Sequence, residues 1–385
     1  MSPPALSLRG AAVLRPGAGL VPGDLHLAGG RIVADAPGGR GVDLSGFWLL
    51  PGIVDLHGDG FERHLAPRRG AMTEMEEGIV AAEAEIAANG ITTAVMAQFW
   101  SWEGGLRGPE FARRMLAALD AVRAGLATDL LAQLRFETHL LEDYEALPEV
   151  LAEHTVRYLV FNDHLPHDRL AQGRRPPRLT GQALKAGRNP EAHLAMLQGL
   201  HARGPEVPAA LDTLCARLAG QGVRLGSHDD ATAEARAAWR ARGVRIAEFP
   251  ETVAAAEAAR AGGDGIVLGA PNAVRGGSHK GNASAIDLVA MGLCDALASD
   301  YHYPSPRRAA LLLARAGLCD LGAAWALVSE GPARLLGLTD RGWLEPGLRA
   351  DLVVLDPETG RVGATLAGGR ITYLSGAVGA RVLAG

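Results

Sequence analysis

The stretch LLPGIVDLHGDGFERHLAPRRG, Leu49 to Gly70, sets His57 and Asp59 two residues apart at the end of an apolar run. On an extended strand residues i and i+2 point to the same side, so the pair can share one ion. Other apolar runs close on residues of the same chemical kinds, LLAQLRFE in Glu137, RYLVFNDH in His164, VRLGSHDD around His228, VRIAEFP around Glu248 and CDALASDY around Asp300. His57, Asp59, Glu137, His164, His228 and Asp300 make an oxygen and nitrogen donor set without thiolate. Such a set suits zinc first, with manganese or iron(II) as alternatives, and a carboxylate such as Glu137 could bridge a pair of ions. One or two divalent ions there would lower the pKa of a bound water. Asp300 would take the proton from that water and return it to the leaving group. His139 lies two residues after Glu137 and could serve instead of it or cap the loop; Glu248 could orient a neighbour or hold a helix start. His26, His154, His193 and His201 lie in the β-rich start or in alanine-rich helical surroundings and read as surface or packing residues.

Something must gather residues so far apart in the chain. From Pro51 onward eight apolar runs alternate with alanine-rich helical segments: GIVDLHGD, TTAVMAQF, LLAQLRFE, RYLVFNDH, VRLGSHDD, VRIAEFP, GIVLGAPN and CDALASDY. Buried parallel strands alternating with helices read this way, and eight of them close a (β/α)8 barrel of the TIM type. Six of the eight runs end in a residue able to bind metal or move protons, and in such a barrel the carboxyl ends of the strands open on one rim. Before Pro51, segments such as LSLRGAAVL and DLHLAGGRIVAD alternate with the period of half-buried strands, and GWLEPGLRADLVVLD and RITYLSGAVGARVLAG return to that pattern. The expectation is therefore a small β-sandwich from residues 1–50 and 343–385, and a barrel from 51–342.

Bulk composition narrows the function classes. A chain of 385 residues, 48% hydrophobic, is long enough for a large core. A net charge of -5 argues against a general nucleic-acid surface, so an anionic substrate would need a local basic cluster. Cys215, Cys294 and Cys319 are too few and scattered for a disulfide framework or zinc ribbon, which fits a reducing compartment. No apolar run approaches the roughly 20 residues that span a bilayer, and the N-terminal residues lack a signal-peptide pattern. A cytoplasmic protein is expected.

LLPGIVDLHGDGFERH, the order of the eight runs and the closing RADLVVLD together resemble the amidohydrolase superfamily. HGDGFERHLAPRRG, DHLPHDR, GSHDDAT, EFPETVAAAEAARAGG and LGAPNAVRGGSHKGN are similar to its phosphonate-degrading diphosphatases, over about Pro51 to Tyr301. The resemblance implies a metal-dependent hydrolase that removes pyrophosphate from a ribose 5-triphosphate carrying a phosphonate at carbon 1, and a homodimer. The chain departs from that pattern in two places: Gly60 stands where the diphosphatases carry asparagine, and DHLPHD replaces DHTPGQ, introducing His167 and Asp168.

Basic residues support an anionic substrate. Arg63, His64, Arg68 and Arg69 follow the first run, and RGGSHKGN sets Arg275, His279 and Lys280 on a glycine-rich loop after the seventh. Loops after strands seven and eight of such barrels commonly bind phosphate, and arginine adds bidentate hydrogen bonds. Arg63, His64, Arg275, His279 and Lys280 are thus expected to meet the substrate. Between Arg169 and Pro190 stand six basic residues and no acidic one, expected as a long irregular segment that is either a lid or a surface loop. The same strand-end residues would also serve a cyclic amide or N-acyl hydrolase; a catalytically silent scaffold barrel is a third possibility.

Overall fold

The computed structural model describes residues 3–36, 38–66, 74–277 and 283–384. Each of the eight apolar runs falls on a strand: Ile53–Gly58, Ile91–Trp100, Asp129–Glu137, Tyr158–Asn162, Arg224–His228, Ile246–Glu248, Gly265–Gly269 and Ala296–Ala298. They follow one another in chain order in a single eight-stranded sheet. Its first and last strands meet through a parallel bridge between Gly58 and Asp300. The fold is a TIM-type barrel. Strands buried on both faces need continuous apolar side chains, and every residue of Ile53–Gly58 and of Ile91–Trp100 is buried.

Both chain ends build a second sheet, as expected. Its order is Arg370–Leu374, Val362–Ala367, Leu352–Leu355, Trp48–Pro51, Leu6–Arg15, Gly19–Ala28 and Arg31–Val33, with Arg40–Asp43 also paired to Leu6–Arg15. Most of its pairings are antiparallel. Leu6, Leu8, Val13, Leu25, Leu27, Leu352 and Val354 belong to its buried core. One residue separates this sheet from the first barrel strand. A Cβ on that residue, Gly52, would meet Thr92 Oγ1 at 2.3 Å, so only glycine fits the passage.

Two compact units divide the chain: Met1–Met96, Ala121–Leu131 and Gly265–Gly385 form one, Ala97–Asp120 and Ala132–Asp264 the other. In the first, the indole of buried Trp325 donates to the Pro51 carbonyl at 2.9 Å. In the second, Arg236 is fully buried and supports the fifth strand. It donates to Ser227 Oγ at 2.7 Å and to Asp230 Oδ2 at 3.1 Å, and its Nε lies 3.2 Å from Asp264 Oδ2. Ser227 immediately precedes His228. The segment expected as irregular between Arg169 and Pro190 instead holds the end of helix His167–Ala171 and helix Leu179–Lys185. Leu170, Leu179 and Ala183 are buried; leucine and alanine at helical spacing outweighed the Gly and Pro punctuation. Cys215, Cys294 and Cys319 are free thiols, and among the described residues no helix is long and apolar enough to cross a membrane.

Breaking a buried ion pair from one side leaves a desolvated charge and typically costs about 3–5 kcal/mol. Arg236→Met should therefore lower the unfolding free energy by about that amount, read from urea denaturation; a change below about 0.5 kcal/mol would show that the cluster does not support this strand.

Candidate active site

In the first unit the site begins with backbone geometry. The Asp300 N–H donates to the His57 carbonyl at 3.0 Å, and the Asp59 N–H donates to the Asp300 carbonyl at 2.8 Å. These two bonds lock the end of the last strand against that of the first, bringing together His57, Asp59 and Asp300. Asp300 has φ 54°, in the left-handed region that non-glycine residues adopt at a cost of order 1–3 kcal/mol, commonly at functional sites. Asp229 and Phe249, one residue past the fifth and sixth strands, share this conformation at φ 60° and 54°.

A fourth residue on this side was not singled out in the sequence. Asp55 precedes His57 by two residues in GIVDLHGD, so period-two alternation sends both the same way. It is fully buried, and accepts from the Ser299 N–H at 2.8 Å and the Ser299 hydroxyl at 2.5 Å. Burial pushes its pKa above the usual carboxylate value, against the Ser299 hydrogen bonds and the neighbouring His57. The signal was present as a charged residue inside an otherwise apolar run.

Gly60 gains a physical reason. A Cβ there would stand 3.2 Å from the Tyr301 carbonyl oxygen and 3.2 Å from the ring of Tyr303. Tyr303 is buried and fills space that a larger residue 60 would need.

Two basic residues after the first strand share a carboxylate. Arg63 and His64, on the short helix Glu62–Leu65, both bind Glu85 of helix Met75–Ala88, His64 through Nε2 at 2.6 Å. Partial burial raises the Glu85 pKa, but the two hydrogen bonds outweigh it and hold the carboxyl below its ordinary range. Arg63 also lies over the Tyr303 ring at 5.8 Å. Arg275 ends helix Ala270–Arg275 with its guanidinium 6.0 Å from the Tyr301 ring centre. Arg68, Arg69, His279 and Lys280 lie outside the described residues.

In the second unit the structure gathers Glu137, His164, His228 and Glu248. Glu137 Oε1 is 2.5 Å from His164 Nδ1, while its Oε2 accepts from the His164 N–H at 3.1 Å and the Trp102 indole at 3.2 Å. Burial disfavours both charges, but the pairing wins: Glu137 is held below its ordinary value and His164 above its own. The His164 and His228 rings are 6.3 Å apart. Glu248 is buried and accepts from Gln133 at 2.8 Å and the Tyr158 hydroxyl at 2.6 Å. Its other oxygen lies 3.3 Å from His228 Nδ1.

Arg135 was also missed. It sits two residues before Glu137 in LLAQLRFE, is 5% exposed, and lies 3.9 Å from the Phe99 ring centre. Its Nη2 donates to His228 Nε2 at 2.8 Å. Because arginine can only donate, Nε2 carries the lone pair and the His228 proton is on Nδ1, facing Glu248. This tautomer would let His228 ligate a metal through Nε2 while a carboxylate orients its other nitrogen, with the ion taking the place of the Arg135 hydrogen bond at Nε2. The donor types suit a divalent ion.

Residues 59–379 match the profile of the Amidohydrolase family. The chain belongs to this family. The match begins at Asp59 of the first strand's histidine–aspartate pair, and the barrel and the second sheet are the architecture that the sequence resemblance implied. Over 347 residues this amidohydrolase is 32% identical to the alpha-D-ribose 1-methylphosphonate 5-triphosphate diphosphatase of Escherichia coli (strain K12), covering 87% of this chain and 91% of that one. Among solved structures, the N-acyl-D-glutamate deacylase of Bordetella bronchiseptica, complexed with zinc and a phosphonate inhibitor, superposes with TM-score 0.61 at 17% identity. That superposition covers 96% of this chain and 97% of the deacylase. The beta-aspartyl dipeptidase of Fervidobacterium islandicum AW-1 gives TM-score 0.61 at 14% identity, over 96% and 97% of the two chains. At such identities the structural likeness speaks for the fold; the E. coli relative supports a hydrolase.

The Glu137–His164 pair carries a pH signature in protein stripped of divalent ions. His164, raised above its ordinary 6.5, contributes stability fully below that value and loses it as pH rises through the folded value. Glu137, lowered from 4.5, contributes above that value and loses it as pH falls through its folded value. The stability gap between wild type and Glu137→Gln should thus be widest between pH 4.5 and 6.5 and narrow on either side. Urea titrations across pH check this, and a gap independent of pH would contradict the pairing.

Proposed function

We propose that this amidohydrolase is a divalent-metal-dependent diphosphatase releasing pyrophosphate from a ribose 5-triphosphate that carries a phosphonate at carbon 1. The observation that carries this reading is the 32% identity to the E. coli diphosphatase across 87% of the chain. His57, Asp59, Glu137, His164, His228 and Asp300 would hold the metal, one ion or two, with zinc the first candidate from the donor set. When bound, a divalent ion lowers the pKa of a water and offsets charge on phosphoryl oxygens.

The chain's own residues supply the rest. Asp300 takes the proton of the attacking water, whose oxygen forms the new bond to the phosphorus next to the ribose as the bond to the departing pyrophosphate breaks. The left-handed backbone of Asp300 and its main-chain bonds to the first strand fix the point from which that side chain starts. Glu248 and Glu137 orient His228 and His164 through their ring nitrogens. Arg63, His64, Arg275, His279 and Lys280 would meet the phosphates; Arg63 and His64 would do so while anchored to Glu85. Arg135, cationic and buried beside His228, is a further partner for developing negative charge. A cytoplasmic homodimer acting on a phosphorylated small molecule completes the reading.

Pyrophosphate release from ribose triphosphates, with zinc or manganese added back to metal-stripped protein, tests the proposal. Metal should restore turnover, and Asp300→Asn should lower kcat by about 10²–10⁴. No turnover with any divalent metal would remove it.

A further inference from the structure

A second cluster lies in the second unit, on the loops after the third and fourth barrel strands. His139 follows Glu137 by two residues, Asp163 follows Asn162 at the end of its strand, and His167 opens helix His167–Ala171. Nε2 of His167 is 3.0 Å from each oxygen of Asp163, and Nδ1 of His139 is 3.6 Å from Asp163 Oδ1. One donor atom from each of the three residues lies within 4.8 Å of the others. The His139 and His167 ring centres are themselves 4.8 Å apart. On the far side of its ring, His167 Nδ1 meets Nδ1 of His201 at 2.8 Å.

We propose that His139, Asp163 and His167 form a separate binding site for a divalent ion of the zinc class, with His201 orienting His167 from behind. Donors about 2.0–2.1 Å from a tetrahedral zinc stand about 3.4 Å from one another, and the observed 3.0 and 3.6 Å straddle that spacing. Two imidazoles and a carboxylate match the donor preference of zinc, cobalt(II) and iron(II). Three protein donors leave a position for water or an anion, as in open zinc sites. Asp163 and His167 have side chains 41% and 36% exposed while His139 is 6% exposed, so the open side faces solvent and the closed side the protein. The Leu165 N–H donates to Asp163 Oδ1 at 3.3 Å and steadies the carboxylate.

An ordinary His167–Asp163 ion pair accounts for two of the four residues. It asks for neither a buried imidazole on a different loop nor a fourth histidine at the opposite ring nitrogen. A ligating histidine does: its second nitrogen is held by an outer partner that fixes tautomer and ring orientation, the place His201 occupies. The site does not depend on the diphosphatase reading.

Equilibrium dialysis of metal-stripped full-length protein against zinc, with bound metal counted by plasma mass spectrometry, tests this directly. At saturation H167A and D163N should each hold one equivalent fewer than wild type, and an H57A/H228A double variant should keep that equivalent. H201A should retain it with affinity reduced about 10–100-fold. The urea midpoints of metal-free H167A and H167Q, compared with wild type, separate loss of a ligand from loss of the fold. Equal zinc stoichiometry and affinity in wild type, H167Q and D163N would overturn the proposal, leaving a chain of hydrogen bonds from His201 through His167 to Asp163.

Discussion

The arrangement depends on closing a parallel sheet upon itself. An open edge at the first or last strand would leave unpaired N–H and C=O groups. Here the Asp300 N–H reaches the His57 carbonyl and the Asp59 N–H reaches the Asp300 carbonyl, at 3.0 and 2.8 Å. The same two bonds that satisfy the backbone place three candidate ligands from opposite ends of the barrel sequence side by side. Structural closure and the juxtaposition of these three residues are one event at this seam, where Asp300 takes a left-handed backbone that carries a cost.

Buried charge is managed consistently through the molecule. Arg236 is surrounded by Asp230 and Asp264, Glu137 faces His164, and Glu248 collects donors from Gln133, Tyr158 and His228. A buried carboxylate without partners would cost several kcal/mol or become protonated. The partners at strand ends are themselves metal-ligand types, so the network that stabilises the protein also fixes the tautomers of candidate ligands. His228 illustrates this: Arg135 and Glu248 on its two nitrogens leave only one proton arrangement.

The basic residues behave differently from what their position after the first strand implies. Arg63 and His64 stand where an anion could be met, yet Glu85 engages both. A guanidinium and an imidazole that share one carboxylate are held in place, and the arginine's charge is offset by it. Arg135 lies inside the barrel strand itself, stacked on Phe99, and offers a charge held with less freedom than a loop residue could have.

What the sequence determined by itself was the periodic framework and the residue types at strand ends. Eight apolar runs became eight strands, because burial on both faces of a parallel sheet demands unbroken apolar stretches that are local in the chain. Glu137, His164 and His228 were legible for the same reason, each closing its own run, and the family motif followed from the first of these runs. Partner identity was left to tertiary structure. That Glu85 would bind Arg63, that Asp55 would face Ser299 across 244 residues, and that His201, read as a packing residue, would meet His167 are long-range events. No local period encodes them: they depend on which strand ends and loops the closed barrel brings within about 3 Å, the range over which hydrogen bonds act.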